Sequence, residues 1–404
     1  MNLINSLYLG FFTIMIFSTV LWLFVYYSNL DKIKKDPKTR DFKDITFLVP
    51  AYNEEDVVGE TIKNILSLDY PEDKVKVIAI NDGSEDGTLE ELEKFNDSIE
   101  IIDKENTGKA DSMNVALEQV DTELVASMDA DSYPKEDYLK SMVGYFEDKE
   151  IYGVTPALKL SRDSTIAEKI QWAEYIYQIF LRKVFALFNV QYVMPGPGSV
   201  YRTEFLKDTG GWDESTFTED MEVAFRLMNS DHKIENSTNA EVMTDPPTCF
   251  KDLFKQRTRW YRGYMQNCAK YSGMIGRPSG GTLGMFLIPL NAVWIGMLLF
   301  LLLHTGYGLM EIVYGWANTY TLLGYFPFDF SLSIQQLHFF HIFILFFFSM
   351  GLGTIFLSLY SANEPVDITE KKTNYLSFFI LYPYLFAMFW IATFFDLLKG
   401  ERQW

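Results

Sequence analysis

The chain has 404 residues, a formal net charge of −19, 16% aromatic residues including 34 Phe, and 22% charged residues. That mix excludes a disordered chain and does not suit an ordinary soluble enzyme, and the acidic balance excludes nucleic acid as a bulk electrostatic partner. Two cysteines and four histidines, with no C-x-x-C or H-E-x-x-H spacing, exclude a disulfide framework and argue against zinc.

Residues 3–27, "LINSLYLGFFTIMIFSTVLWLFVYY", carry no charge. They are long enough to span a bilayer and lack the basic start and short apolar core of a signal peptide, which predicts an uncleaved anchor. Lys32, Lys34, Lys35, Lys38 and Arg40 follow, so the positive-inside rule predicts that the chain enters the cytoplasm there.

From 44 to about 245 the sequence changes to a soluble character. "ITFLVP" (45–50) and "VKVIAI" (75–80) are short β-branched runs of the kind that form buried parallel strands. "EEDVVGETIKNILSL" (54–68) and "GKADSMNVALEQV" (108–120) have helical spacing, and "LVASMDAD" (124–131) is a further strand. This alternation predicts an α/β domain whose ligands sit at the carboxyl ends of the strands.

The segments 166–188 and 247–271 are too charged to span a membrane yet rich in aromatics. Two readings stay open for 166–188: a helix at the headgroup level, or an amphipathic helix packed on the α/β domain. After Pro278 the chain turns apolar, with spans at about 284–304, 337–360 and 375–396 and a borderline stretch at 305–326. Three or four C-terminal crossings result, and the charges conflict. Either Lys371 and Lys372, or Lys399 and Arg402, fall on the outer side. The expected division is 1–30 anchor, 31–245 catalytic domain, 246–280 interfacial region and 281–404 membrane region.

Polar turn residues follow three successive strands. "VPAYNEE" (49–55) supplies Tyr52 and Glu54, "INDGSEDGT" (80–88) supplies Asp82, and "MDADS" (128–132) supplies Asp129 and Asp131. Two carboxylates two residues apart are costly to hold together without a cation, so Mg²⁺ or Mn²⁺ with a diphosphate would satisfy the pair. The alternative is a loop that caps the next helix near Pro134. "NTGKADSMN" (106–114) opens a helix with Gly108 and Lys109, a combination that favours anions. "GPGSVYR" (196–202) places Gly196, Gly198 and Ser199 where a ligand can approach the backbone. In "FTEDMEVAFRL" (217–227), Thr218 is the expected helix cap, with Glu219 and Asp220 in the first turn, where capping alone also accounts for acidic residues. "KQRTRWYRGY" (255–264) gathers Lys255, Arg257, Arg259 and Arg262 with Trp260 in an otherwise acidic chain.

Asp82, then Asp129-x-Asp131, then Thr218-Glu219-Asp220, then Gln256-x-x-Arg259-Trp260, followed by apolar spans, resembles the membrane-embedded glycosyltransferases of family 2. The resemblance runs from about 44 to 264 and implies a GT-A (Rossmann-like) α/β fold. It implies that Tyr52, Glu54 and Asp82, with Lys109 nearby, hold the base and ribose of a nucleotide sugar. Asp129 and Asp131 would hold the diphosphate and a divalent metal, Mg or Mn. Asp220 would be the base, with Glu219 beside it, and Arg259, together with Arg257, would meet the leaving diphosphate. Gly196, Gly198, Ser199, Gln256 and Trp260 would border the acceptor, with Trp260 stacking on a sugar ring. Lys255 and Arg262 would face anionic lipid headgroups.

The implied activity is inverting transfer from a nucleotide sugar, such as a UDP-sugar, to a growing polysaccharide exported through the membrane. Residues 196–227 most resemble the enzymes that make poly-N-acetylglucosamine. The alternative is transfer of one sugar to a membrane lipid, as in ceramide glucosyltransferases. A transporter with a regulatory domain is disfavoured, because the C-terminal spans lack acidic residues in their interiors apart from Glu311 in the borderline stretch 305–326.

Overall fold

The structure is a computed structural model that describes residues 3–325, 339–367 and 369–399. The first two residues of the expected span 337–360, and the terminal residues after Lys399, lie outside them. The chain opens with the apolar helix α1 (Leu3–Ser28) and a single turn, α2 (Leu30–Ile33). Strands and helices then alternate: β1 (Ile45–Ala51), α3 (Val58–Leu66), β2 (Val75–Asp82), α4 (Thr88–Glu93), β3 (Glu100–Lys104), α5 (Lys109–Gln119) and β4 (Leu124–Ser127). β1 pairs in parallel with β2 and β4, and β2 with β3.

The period of two in β1 feeds two cores. Ile45, Phe47, Val49 and Ala51 pack on one face with Val58, Ile62 and Ile65 of α3, while Leu48 packs on the other with Met113, Ala116 and Leu117 of α5. The β1–α3–β2 connection covers one face of the sheet and the β3–α5–β4 connection the other, so a crevice opens at the carboxyl ends of β1 and β4.

The second half comprises β5 (Ser132–Pro134), α6 (Tyr138–Val143), β6 (Ile151–Leu160), α7 (Ile166–Leu187), β7 (Val200–Arg202), α8 (Thr203–Thr209), α9 (Glu219–Asn229), β8 (Lys233–Thr244) and α10 (Phe250–Lys270). The eight strands form one sheet in the order β3-β2-β1-β4-β7-β6-β8-β5. β7 runs antiparallel to β4 and β6, so the sheet is mixed. Pro134 does not open a helix: residues 132–134 pair with β8, and α6 begins at Tyr138.

Three helices then follow, α11 (Ile288–Leu323), α12 (Phe339–Ser361) and α13 (Lys372–Lys399). The stretch 305–323 continues α11 and is not a separate helix. Among the described residues, three helical segments are long and apolar enough to cross a membrane: Ile4–Ser28, Leu283–Leu323 and Lys372–Lys399. α7, closed at its start by a Thr165–Glu168 capping box, packs on β6 and β8 and also on α12 and α13. It thus joins the sheet to the apolar helices, which explains why its composition reads as both interfacial and domain-packed. The segment after α1 is tied to the sheet domain by Asp36, which accepts from Tyr145 (2.7 Å), Ser237 (2.9 Å) and Asn239 (2.7 Å).

Candidate active site

The turns after β1, β2 and β4 converge. Asn53, at a φ of 56°, accepts from the Glu85 N–H (2.8 Å), and the Glu54 N–H donates to Thr88 (2.8 Å), so the first two turns brace each other. Tyr52 is exposed beside them. Asp82 is buried, and its oxygens accept from Lys104 (2.6 Å) and from the Thr107 (3.0 Å) and Gly108 (2.9 Å) N–H groups. Burial works to raise its carboxyl, but these donors hold it below the usual range. In this structure Asp82 organises the N-terminus of α5 and thereby places Lys109.

Lys109 is the hub. Its ammonium lies 2.6 Å from Asp129 and 3.1 Å from Glu219. Burial works to lower its pKa, yet the surrounding carboxylates raise it above the ordinary lysine value. Glu219 and Asp220 open α9, and their environments separate them. Burial pushes both up, but at Glu219 Lys109, a backbone N–H and Arg259 together outweigh it, and that carboxyl is held low. Asp220 is pushed up to about 6 by burial and then by the neighbouring Glu219. A proton acceptor tuned upward next to a fixed anion is the arrangement expected of a general base. Thr218 occupies the position before α9 without capping it, and the Met221 N–H is instead taken by Asp220 (2.7 Å).

Gly196 explains its residue type. A Cβ there would lie 2.6 Å from Lys109 Nζ and 2.9 Å from Asp129 Oδ1. Gly198 has a φ of 80°, and its carbonyl accepts from Tyr138 (2.5 Å). Ser199 is buried and donates to the Pro195 carbonyl (2.6 Å), so its hydroxyl holds the loop and does not face solvent.

Negative charge exceeds positive at the carboxyl end of β4. Asp131 is pushed up to about 6 by burial and then by Asp129. Glu54 rises to about 7 through burial, with Asp131, Asp129, Asp86 and Asp245 adding to it. A hard oxygen donor set short of cations fits Mg²⁺ or Mn²⁺. Among the described residues no group of three His, Cys, Asp or Glu closes a complete cage. Asp129 and Asp131 are the residues there that could hold such a cation.

α10 forms the opposite wall. A cavity of about 750 Å³ is lined by Lys109 and Glu219 on one side, Gln256, Arg259 and Arg262 on the other, and Asp396 of α13. Arg259 donates to the Phe217 carbonyl (3.3 Å). Arg257 faces away. It is fully buried and bidentate to Glu174 of α7, at 3.2 and 2.8 Å, and it also donates to Gln256 Oε1. It is therefore not available to phosphate. Its guanidinium lies 4.0 Å from the Trp260 ring centroid, so it covers one face of that indole. Arg262 meets Asp396 (3.4 Å) and lies over Phe217 (4.4 Å), and Lys255 is exposed near Asp252 (3.9 Å).

The structure thus gathers Lys109, Asp129, Gly196, Glu219, Asp220 and Arg259, with Asp131 and Glu54 adjoining. Of the sequence-predicted site residues, Lys109, Glu219, Gln256 and Arg259 line the cavity itself; Asp129 and Gly196 adjoin it through Lys109, and Tyr52, Glu54, Asp82, Asp131, Gly198, Ser199, Asp220 and Trp260 are not among its lining. Sequence reasoning missed Glu174, Asp245 and Lys104, and it missed Gly263, where a Cβ would meet Thr218 Oγ1 at 2.1 Å.

A family profile described as "Glycosyltransferase like family 2" matches residues 43–263. A poly-beta-1,6-N-acetyl-D-glucosamine synthase of Staphylococcus aureus (strain MSSA476) is 32% identical over 235 residues, 57% of this chain and 57% of that protein. The protein of the same name from Staphylococcus epidermidis (strain ATCC 35984) is 32% identical over 264 residues, 61% of this chain and 63% of its own. The match therefore covers less than two thirds of either relative's length. The structure of the mannosyltransferase PcManGT from Pyrobaculum calidifontis, in complex with GDP-Man and Mn²⁺, aligns with a TM-score of 0.57 and 20% identity. That alignment covers 76% of this chain and 92% of that one, and it shows a shared fold.

Proposed function

Because the chain belongs to the glycosyltransferase like family 2, we propose that it moves a sugar from a nucleoside-diphosphate sugar, a UDP-sugar, to the end of a growing polysaccharide at a membrane. Growth would be coupled to export, with residues 31–245 on the cytoplasmic side and 246–280 at its surface. The observation that carries this reading is the placement of Glu219 on the Lys109–Asp129 pair, with Asp220 next to it in the first turn of α9 and Arg259 across the cavity. The identity to poly-N-acetylglucosamine synthases favours a polymer product.

In the proposed reaction Asp220 accepts the proton of the acceptor hydroxyl. The acceptor oxygen bonds to the anomeric carbon as the bond from that carbon to the diphosphate oxygen breaks, which inverts the configuration. The diphosphate leaves with the electron pair, toward Arg259 and Lys109, whose fixed charges need no rearrangement as negative charge develops. Asp131 and Asp129 would hold a divalent cation, which when bound would neutralise phosphate charge.

The test is to incubate the detergent-purified chain with Mg²⁺ or Mn²⁺ and a panel of nucleotide sugars, and to weigh the products. A ladder of repeating sugar masses is expected. One sugar added to a lipid would replace the polymer reading, and no release of nucleoside diphosphate from any donor would remove the transferase reading.

A further inference from the structure

α13 is long and apolar enough to cross a bilayer, yet the sheet domain holds it at both ends. At its start Lys371 and Asn374 each lie 2.7 Å from Asp163. Midway, Tyr382 donates to Glu174 of α7 (3.0 Å), and Trp390 stacks on Tyr261 of α10 at 4.8 Å. Near its end, Asp396 meets Arg262 of α10 at 3.4 Å. Asp163 and Arg262 both fall within the matched family segment 43–263. From Asn374 to Asp396 a helix rises about 33 Å, as much as the hydrocarbon core is thick. A crossing helix would carry these two anchor points to opposite sides of the membrane, although one folded unit supplies both partners.

We propose that α13 does not cross: it lies along the membrane-facing side of the catalytic unit, with both ends on the same side, and turns one apolar stripe to the lipid acyl layer. This rests on the reading that the unit stands on one side of a membrane. The stripe is Leu376, Ile380, Tyr384 and Met388, spaced by four and each about half exposed, while Asn374, Phe389 and Trp390 are buried against the protein. Lipid is the occupant that continuity favours, because α13 packs beside α11, itself apolar enough to span. The connection from α12 also sits on the unit, through Glu364 and Lys159 (2.8 Å). The charge conflict then disappears. Lys371, Lys372 and Lys399 all lie on the catalytic side, as the positive-inside rule prefers.

Site-directed labelling tests this in the full chain. Cys249 is exposed and reports the side of the catalytic unit. With Cys268→Ala throughout, Cys249 alone is compared with Thr373→Cys and Lys399→Cys, each in a Cys249→Ser background, using a membrane-impermeant maleimide on intact and opened cells. Reaction in detergent sets full labelling, and melting in detergent checks the fold. All three sites are expected to react only in opened cells. If either end of α13 reacts on the side opposite Cys249, or reacts in detergent but not in opened cells, the proposal is overturned. If all three react in intact cells, α13 still does not cross, and the cytoplasmic placement of the catalytic unit is what fails.

Discussion

The ammonium of Lys109 lies 2.6 Å from Asp129 and joins the first turn of α5 to the turn after β4. The pair sits against the flat backbone of Gly196, so its geometry depends on the absence of a side chain there. Gly196→Ala places a methyl group in the space of that pair and should reduce turnover at least tenfold while the melting temperature stays near that of the parent. Lys109→Met removes the charge itself and should reduce turnover by ~100-fold, the scale of losing one donor to a developing anion. Steady-state release of nucleoside diphosphate measures both.

The pH profile should report Asp220. Burial and Glu219 push its carboxyl up to about 6, and it works deprotonated. Activity should therefore be flat above about 6 and fall about tenfold per pH unit below it, as the base becomes protonated. Asp220→Asn should show no transfer at any pH while still binding nucleotide in a titration. Turnover in that variant with the same acid limb would assign the base elsewhere.

Removing the cation should stop the reaction. The carboxyl end of β4 holds Asp129 and Asp131 with one lysine between them and Glu219, so a diphosphate arriving there meets excess negative charge. EDTA should abolish turnover, and added Mn²⁺ or Mg²⁺ should restore it. Asp131→Asn should weaken Mn²⁺ binding, read directly by electron paramagnetic resonance of free Mn²⁺, even where no sugar is transferred.

Gly263 of α10 touches Thr218, the residue before α9. Gly263→Ala should force the two helices apart and cost about 1–3 kcal/mol, the range for overpacking a filled contact. A lower melting temperature together with reduced turnover would show both effects, since α9 carries Asp220.

The strand ends were legible because buried parallel strands read as β-branched runs and their turns as Asp, Asn and Gly. Asp129 was read from such a strand end, and Lys109 and Glu219 from helix starts, though the ion pairs that join the three were not, since they lie on separate elements. Arg257 shows the limit more sharply. It stands two residues from Arg259, which on a helix turns the two to nearly opposite faces. The spacing alone required one of them to face away from phosphate, but its partner Glu174 is 83 residues distant and no local pattern reveals it. For α13 the limit is similar: hydropathy measures whether a helix can enter lipid, and the contacts of its two ends with Asp163 and Arg262 are long-range, so no local pattern reveals them. Ser199 was placed at the acceptor by its loop, whereas its hydroxyl turns back to Pro195.

The Glu174–Arg257 pair is where the platform of α10 should be most sensitive. The guanidinium spends two nitrogens on Glu174 and the third on Gln256, and its face covers Trp260. Glu174→Ala would leave a buried cation without its partner, at a cost of about 3–5 kcal/mol, so a large fall in melting temperature is expected. Glu174→Gln keeps the shape and one acceptor but removes the charge, and it should cost less stability. If the pair also sets the attitude of Gln256 and Trp260, the Gln variant should raise the acceptor KM several-fold while donor affinity stays unchanged, because Lys109 and Asp129 are untouched. Tyr382→Phe deletes another hydrogen-bond partner of Glu174 without opening a cavity and should shift the acceptor KM in the same direction by a smaller factor. Unchanged acceptor KM in both variants, with stability alone reduced, would make the pair a packing feature and leave the platform to be positioned by the helix backbone.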